Sequence, residues 1–192
     1  MSAAKMARVS LALLAIQLAV VCSIAGKYLI ERSTCPRVWT RAVAYDPEMI
    51  MRGRYFSMQL HVDACGVKLP PPAGYANQND INILFDRGGV ATAQLEARIG
   101  VKDGKLAVLK LLGPEDDRDS MSFQLRRSES CDKAILLQGI DFYIPEHAQS
   151  PFPLSVGQEL WVEVTVPPAG PPRPTQLALK SSDGTWQPLN YR

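Results

Sequence analysis

Residues 160–166, Leu160-Trp161-Val162-Glu163-Val164-Thr165-Val166, decide the fold. Val162, Val164 and Val166 recur at every second position, and Trp161, Glu163 and Thr165 fill the places between them. A period of two with β-branched residues on one side is the pattern of a strand with one face in a core. Working back along the chain, Met121-Ser122-Phe123-Gln124-Leu125 alternates in the same way. So do residues 55–62, where Phe56, Met58, Leu60 and Val62 interleave with Tyr55, Ser57, Gln59 and His61. Asp103-Gly104 lies between two apolar runs and predicts a hairpin, because Asp-Gly accepts the positive φ angles of a type I′ turn. Further strands are expected at Ile81–Phe85, Val90–Ile99, Lys105–Leu112, Ala134–Gln138 and Ile140–Ile144. Beyond the opening segment, Gln176–Lys180 and Thr185–Leu189 read as a hairpin around Asp183-Gly184, after a proline-rich loop, PPAGPPRP. About nine short strands, punctuated by turn signals every eight to twelve residues, predict one all-β sandwich or open barrel.

This β-rich portion follows an apolar run. Residues 9–26, VSLALLAIQLAVVCSIAG, carry no charge between Arg8 and Lys27. Eighteen residues at helical rise span about 27 Å, enough for a bilayer's hydrocarbon core. The expected organisation is a cytoplasmic tail at 1–8, a transmembrane helix at 9–26, a membrane-proximal segment at 27–44 and an exported β domain at 45–192. Three readings of the run stand: an uncleaved anchor, a signal peptide cut after Ala25, and a reversed anchor. Lys27, Arg32, Arg37 and Arg41 outnumber Lys5 and Arg8, so the positive-inside count does not choose among them. A short basic tail before a first apolar segment usually stays inside, which favours the first reading.

Charge excludes one class of partner. Setting aside Lys5 and Arg8, 19 basic residues remain to face 19 acidic ones. A net-neutral domain lacks the positive excess that nucleic-acid binding rests on. No catalytic residue is assigned, because no spacing links a nucleophile to a base. No cofactor or metal is called for either. The chain has two histidines and no Cys-x-x-Cys pair, and Asp116, Asp117 and Asp119 lack the glycine and glutamate of a calcium loop.

Four cysteines are present. Cys22 sits in the apolar run, and Cys35, Cys65 and Cys131 follow it. Cys65 ends one strand-like run and Cys131 opens another, so an oxidising compartment favours a Cys65–Cys131 disulfide with Cys35 left over. Three unpaired, packing cysteines are the alternative.

Residues 44–60, AYDPEMIMRGRYFSMQL, resemble the signature of the GDYXXLXY proteins, a largely uncharacterised family of small bacterial membrane-anchored proteins. Asp46 and Pro47 match its DP element, Arg52, Gly53 and Tyr55 match its RG-Y element, and Met58 stands in the leucine position. Two positions depart: Arg54 replaces the motif's aspartate, and Leu60 replaces its last tyrosine. A second stretch, Gln138–Glu146, is similar to the family's downstream run, with His147 in place of a glycine. The resemblance implies a single-pass protein of the bacterial inner membrane, held through residues 9–26, with its domain in the periplasm or otherwise outside the cytoplasm. It also implies association with a polytopic membrane protein. It implies no reaction. The expected role is therefore an interaction module for an envelope or membrane-protein partner. The other reading is a small-ligand-binding protein or enzyme, with Arg54, Tyr55 and Glu146 around a cleft between the two motifs.

Overall fold

A computed structural model describes residues 3–45, 55–68, 83–85, 91–113, 119–126, 129–145, 148 and 151–191. The chain divides into two units, Met1–Cys35 and Pro36–Arg192.

The first unit is one helix, α1 (Ala3–Thr34). Ser10–Thr34 is long and apolar enough to cross a membrane, and its apolar side chains, such as Leu11, Val21 and Leu29, are exposed. The helix runs past residue 26, the end expected from the first charge. In the continuation Lys27 and Glu31, spaced four apart, pair at 3.8 Å on the helix surface, a small favourable contribution. The hydroxyls of Ser33 and Thr34 donate to the Ile30 carbonyl at 2.9 and 2.7 Å. Pro36 then ends the helix, since the residue before a proline is pushed out of the α region.

Among its described residues the second unit holds eleven strands: β1 (Arg37–Ala44), β2 (Tyr55–Val62), β3 (Ile83–Phe85), β4 (Ala91–Lys102), β5 (Lys105–Leu111), β6 (Met121–Arg126), β7 (Ala134–Leu136), β8 (Ile140–Tyr143), β9 (Glu159–Thr165), β10 (Arg173–Lys180) and β11 (Trp186–Leu189). Their order is β11-β10-β9-β1-β2-β7-β6-β4-β3, with β8 also on β2 and β5 also on β4. The named strands pair antiparallel. One parallel bridge turns this sheet back on itself. The Asp63 N–H donates to Leu106 O, and the Val108 N–H donates to Asp63 O, both at 2.9 Å. The ladder β2-β7-β6-β4-β5 thereby returns to the end of β2. An all-β domain after one apolar helix is what the sequence predicted, and its form is a partly closed barrel.

Alternation builds the core. Met58, Leu60 and Val62 of β2 and Leu160, Val162 and Val164 of β9 are all essentially inaccessible. Burying a side chain of this size contributes about 1.5–3 kcal/mol. Phe123, Leu136 and Leu177 complete the same cluster. Asp103 and Gly104 take φ of 52° and 73°, the positive pair required by the tight turn between β4 and β5.

Two boundaries differ from the sequence reading. Residues 37–44, assigned to a membrane-proximal segment, form β1 at the centre of the sheet, paired with both β2 and β9. Its buried face, Val38, Thr40 and Ala42, is small and partly polar, and Arg37 and Arg41 on the other face mask the period of two. The domain thus starts at Pro36, not residue 45. Strand β10 also begins earlier than expected, at Arg173, inside the proline-rich run. A bulge between Pro174 and Gln176 absorbs the proline, which cannot donate to a ladder.

Candidate functional site

The two motif stretches are neighbours. Strands β2 and β8 pair with Tyr55 opposite Tyr143, Phe56 opposite Phe142, Ser57 opposite Asp141 and Met58 opposite Ile140. The Ser57 hydroxyl donates to the Asp141 carboxylate across this ladder. Met58 and Leu60 are fully buried and serve the core. Asp46, Pro47, Arg52, Gly53, Arg54 and Glu146 lie outside the described residues, and Tyr55 is placed by its backbone alone. Cys65 and Cys131 form a disulfide with Cα atoms 4.9 Å apart, and Cys22 and Cys35 are free thiols.

A separate cleft of about 450 Å³ opens where β1, β2 and β9 meet the turn after β4. Its construction follows from register. On β9 the inward residues are Leu160, Val162 and Val164, so Glu159, Trp161 and Glu163 point outward. Arg41 stands opposite Trp161, and Trp39 opposite Glu163, across the β1–β9 ladder. On the far side of β9, Lys180 pairs with Glu159 and with Trp186. The chain's three tryptophans thus converge on one outer face. Trp39 meets Trp186 edge-on at 4.9 Å, and Trp161 meets Trp186 at 5.7 Å. The Lys180 ammonium lies 5.2 Å from the Trp161 ring centroid, within cation–π range.

Hydrogen bonds and ion pairs fix the polar wall. Glu159 accepts the Trp161 indole N–H on Oε2 at 3.1 Å and faces the Arg41 guanidinium through Oε1 at 3.2 Å. The Lys105 ammonium lies 3.9 Å from Asp63 Oδ2, and the other Asp63 oxygen accepts the Cys65 N–H at 2.8 Å. Asp132 and Lys133 contribute a further acid and base to the lining. Asp132 sits below the usual carboxylate range, chiefly through a hydrogen bond from the Ser130 side chain, with help from Lys133 and Lys105.

His61 enters from β2 and is half-buried. Burial, reinforced by the Arg41 charge, lowers its pKa below the ordinary imidazole value, so the ring is neutral near pH 7. Thr40 carries the one hydroxyl side chain among the described residues of the lining, and it donates to the His61 carbonyl at 2.6 Å. Among the described residues no group of three or more His, Cys, Asp or Glu is placed to hold a metal. Aromatic surface flanked by balanced charges equips the cleft for reversible binding through stacking and hydrogen bonds.

Sequence reasoning did not single out this cleft. The available signal was the outward face of the strongest strand, with Trp161 between Glu159 and Glu163. Trp39 and Arg41 were hidden in a segment not read as a strand. No family model matches the chain, and no match is found among curated proteins or solved structures.

Proposed function

We propose that this protein is a membrane-anchored interaction module, held by α1, with its β domain outside the cytoplasm of a bacterial cell and contacting an envelope or membrane-protein partner. The observation that carries the reading is the Ser10–Thr34 span, a bilayer-length apolar helix with none of its apolar window buried. A helix that is apolar and uncovered needs a nonpolar surrounding, and lipid supplies one. The Cys65–Cys131 pairing supports an oxidising compartment for the domain. The GDYXXLXY-like motifs support the same placement. The alternative, a ligand-binding or enzymatic cleft near Tyr55 and Glu146, draws support from the adjacency of β2 and β8.

A reporter active only outside the cytoplasm, fused after Arg192, tests the placement. Activity of the fusion, with an N-terminal mass that retains residues 1–25, is the expected result. An inactive fusion, with an activity-positive cytoplasmic reporter at the same point, overturns it. Crosslinking in membranes tests the interaction and is expected to recover one recurrent envelope or membrane-protein partner. Recovery of abundant bystanders alone counts against it.

A further inference from the structure

The outer face of the β1-β9-β10-β11 sheet carries more aromatic surface than the core requires. The inner face already packs Val38, Leu160, Val162 and Leu177 into the main cluster. Trp39, Trp161 and Trp186 lie on the opposite side, where their rings meet one another. Ala178 faces the same side: it pairs with Trp161 and is fully buried, yet lies outside the main cluster. Trp39 and Trp186 come from β1 and β11, and their rings meet across the two strands between them. The edge of this platform opens into the 450 Å³ cleft, which Trp39 and Trp161 line.

The charges around the cleft limit its occupant. Arg41, Lys105 and Lys133 are balanced by Asp63, Asp132 and Glu159, and the Arg41–Glu159 and Lys105–Asp63 pairs intermix the signs. With three basic groups and three carboxylates intermixed, the lining gives neither an anion nor a cation a net attraction. A neutral ligand rich in hydroxyls needs none. Each of its hydroxyls both donates and accepts, so it can bond a carboxylate and a guanidinium or ammonium together, and such charge-assisted bonds are about twice as strong as neutral ones. A pyranose ring adds a flat C–H face suited to the negative face of an indole. The cleft's volume lies within the range of about 300–1,000 Å³ typical of ligand sites.

We infer that the cleft beside Trp39 and Trp161 binds a neutral pyranose unit of a glycan, stacked on indole and held through its hydroxyls by the Arg41–Glu159 and Lys105–Asp63 pairs. The glycan as natural occupant rests on the proposed placement outside the cytoplasm; the binding itself does not.

The test is titration of the full-length protein, held in a detergent without a sugar headgroup, with tetra-N-acetylchitotetraose as neutral probe. Intrinsic tryptophan emission and calorimetry are the readouts. A saturable change with Kd below about 1 mM is expected. The deacetylated, cationic tetramer and anionic tetragalacturonate are expected to bind at least about fivefold more weakly. Trp161→Ala is expected to weaken binding about tenfold, and Asp132→Asn, at an exposed position that leaves the fold intact, about threefold. Tyr143→Ala, on β8, is expected to leave binding unchanged. No saturable response to this probe or to cellotetraose overturns the inference. So does tighter binding of either charged oligomer, or wild-type affinity in a folded Asp132→Asn and Trp161→Ala pair. A cytoplasmic reporter result removes the exported placement without touching the titration, so the two failures are distinct.

Discussion

Ala178 stands opposite Trp161 across the β9–β10 ladder and is fully buried, although it belongs to the outer face of the sheet. The indoles of Trp39 and Trp186 meet on the same face, from the strands on either side of β9 and β10. A larger residue at this filled position needs space on that face. Ala178→Leu is expected to destabilise the domain by about 1–3 kcal/mol, the cost of overpacking a filled site. Denaturant titration measures the loss, and a red shift of tryptophan emission in the folded state reports the displaced rings. Unchanged stability and emission would mean that the indoles do not depend on the size of residue 178.

His61 makes stability depend on pH. Burial and the Arg41 charge lower its pKa in the folded domain, so the unfolded chain takes up the proton more readily. Its contribution is therefore fully present above the ordinary value of 6.5 and is lost as pH falls through that value towards the lower folded one. Stability measured between about pH 8 and 5 is expected to fall on the acid side, and His61→Gln is expected to flatten that part of the profile. Asp132 and Asp183 do not interfere, because their pKa values lie below the ordinary carboxyl value of 3.8. An identical acid limb in the variant would remove His61 from the explanation.

The Cys65–Cys131 bridge spans 66 residues of sequence. On the loop-entropy account, a closure of that length stabilises by about 4 kcal/mol. The double variant Cys65→Ser with Cys131→Ser is expected to lose a large part of that in denaturant titration. The same loss is expected of the wild-type protein under reducing agent, and insensitivity to both would contradict the account.

Thr165 is buried at 2% exposure, and among the described residues its hydroxyl has no hydrogen-bond partner. Valine has nearly the same shape without the polar atom. Thr165→Val is expected to raise stability by about 1 kcal/mol, since an unsatisfied buried hydroxyl costs about 1–3 kcal/mol. A loss on thermal or chemical unfolding would show that the hydroxyl is bonded in solution.

The parts of the fold that were legible in sequence are those whose signal is local. Val162, Val164 and Leu160 announce β9 by alternation alone, and Asp103-Gly104 announces its hairpin by turn chemistry. Strand β1 was not legible, because Arg37 and Arg41 dilute its pattern and the buried face uses Thr40 and Ala42 instead of large apolar residues. The cleft was hidden for a different reason. Trp39, His61, Lys105 and Trp161 are far apart in sequence and are brought together by ladder register and by the Asp63 bridge, which no local pattern encodes. In the first motif, Met58 and Leu60 occupy core positions dictated by the same period of two that defines the whole strand.

Protease treatment of spheroplasts, followed by mass analysis of the membrane fraction, reads out on which side of the bilayer the β domain lies. External protease is expected to remove the β domain and leave a membrane-embedded fragment containing Ser10–Thr34. A chain that stays intact in sealed spheroplasts, or that is recovered whole in the soluble fraction, would contradict the exported placement.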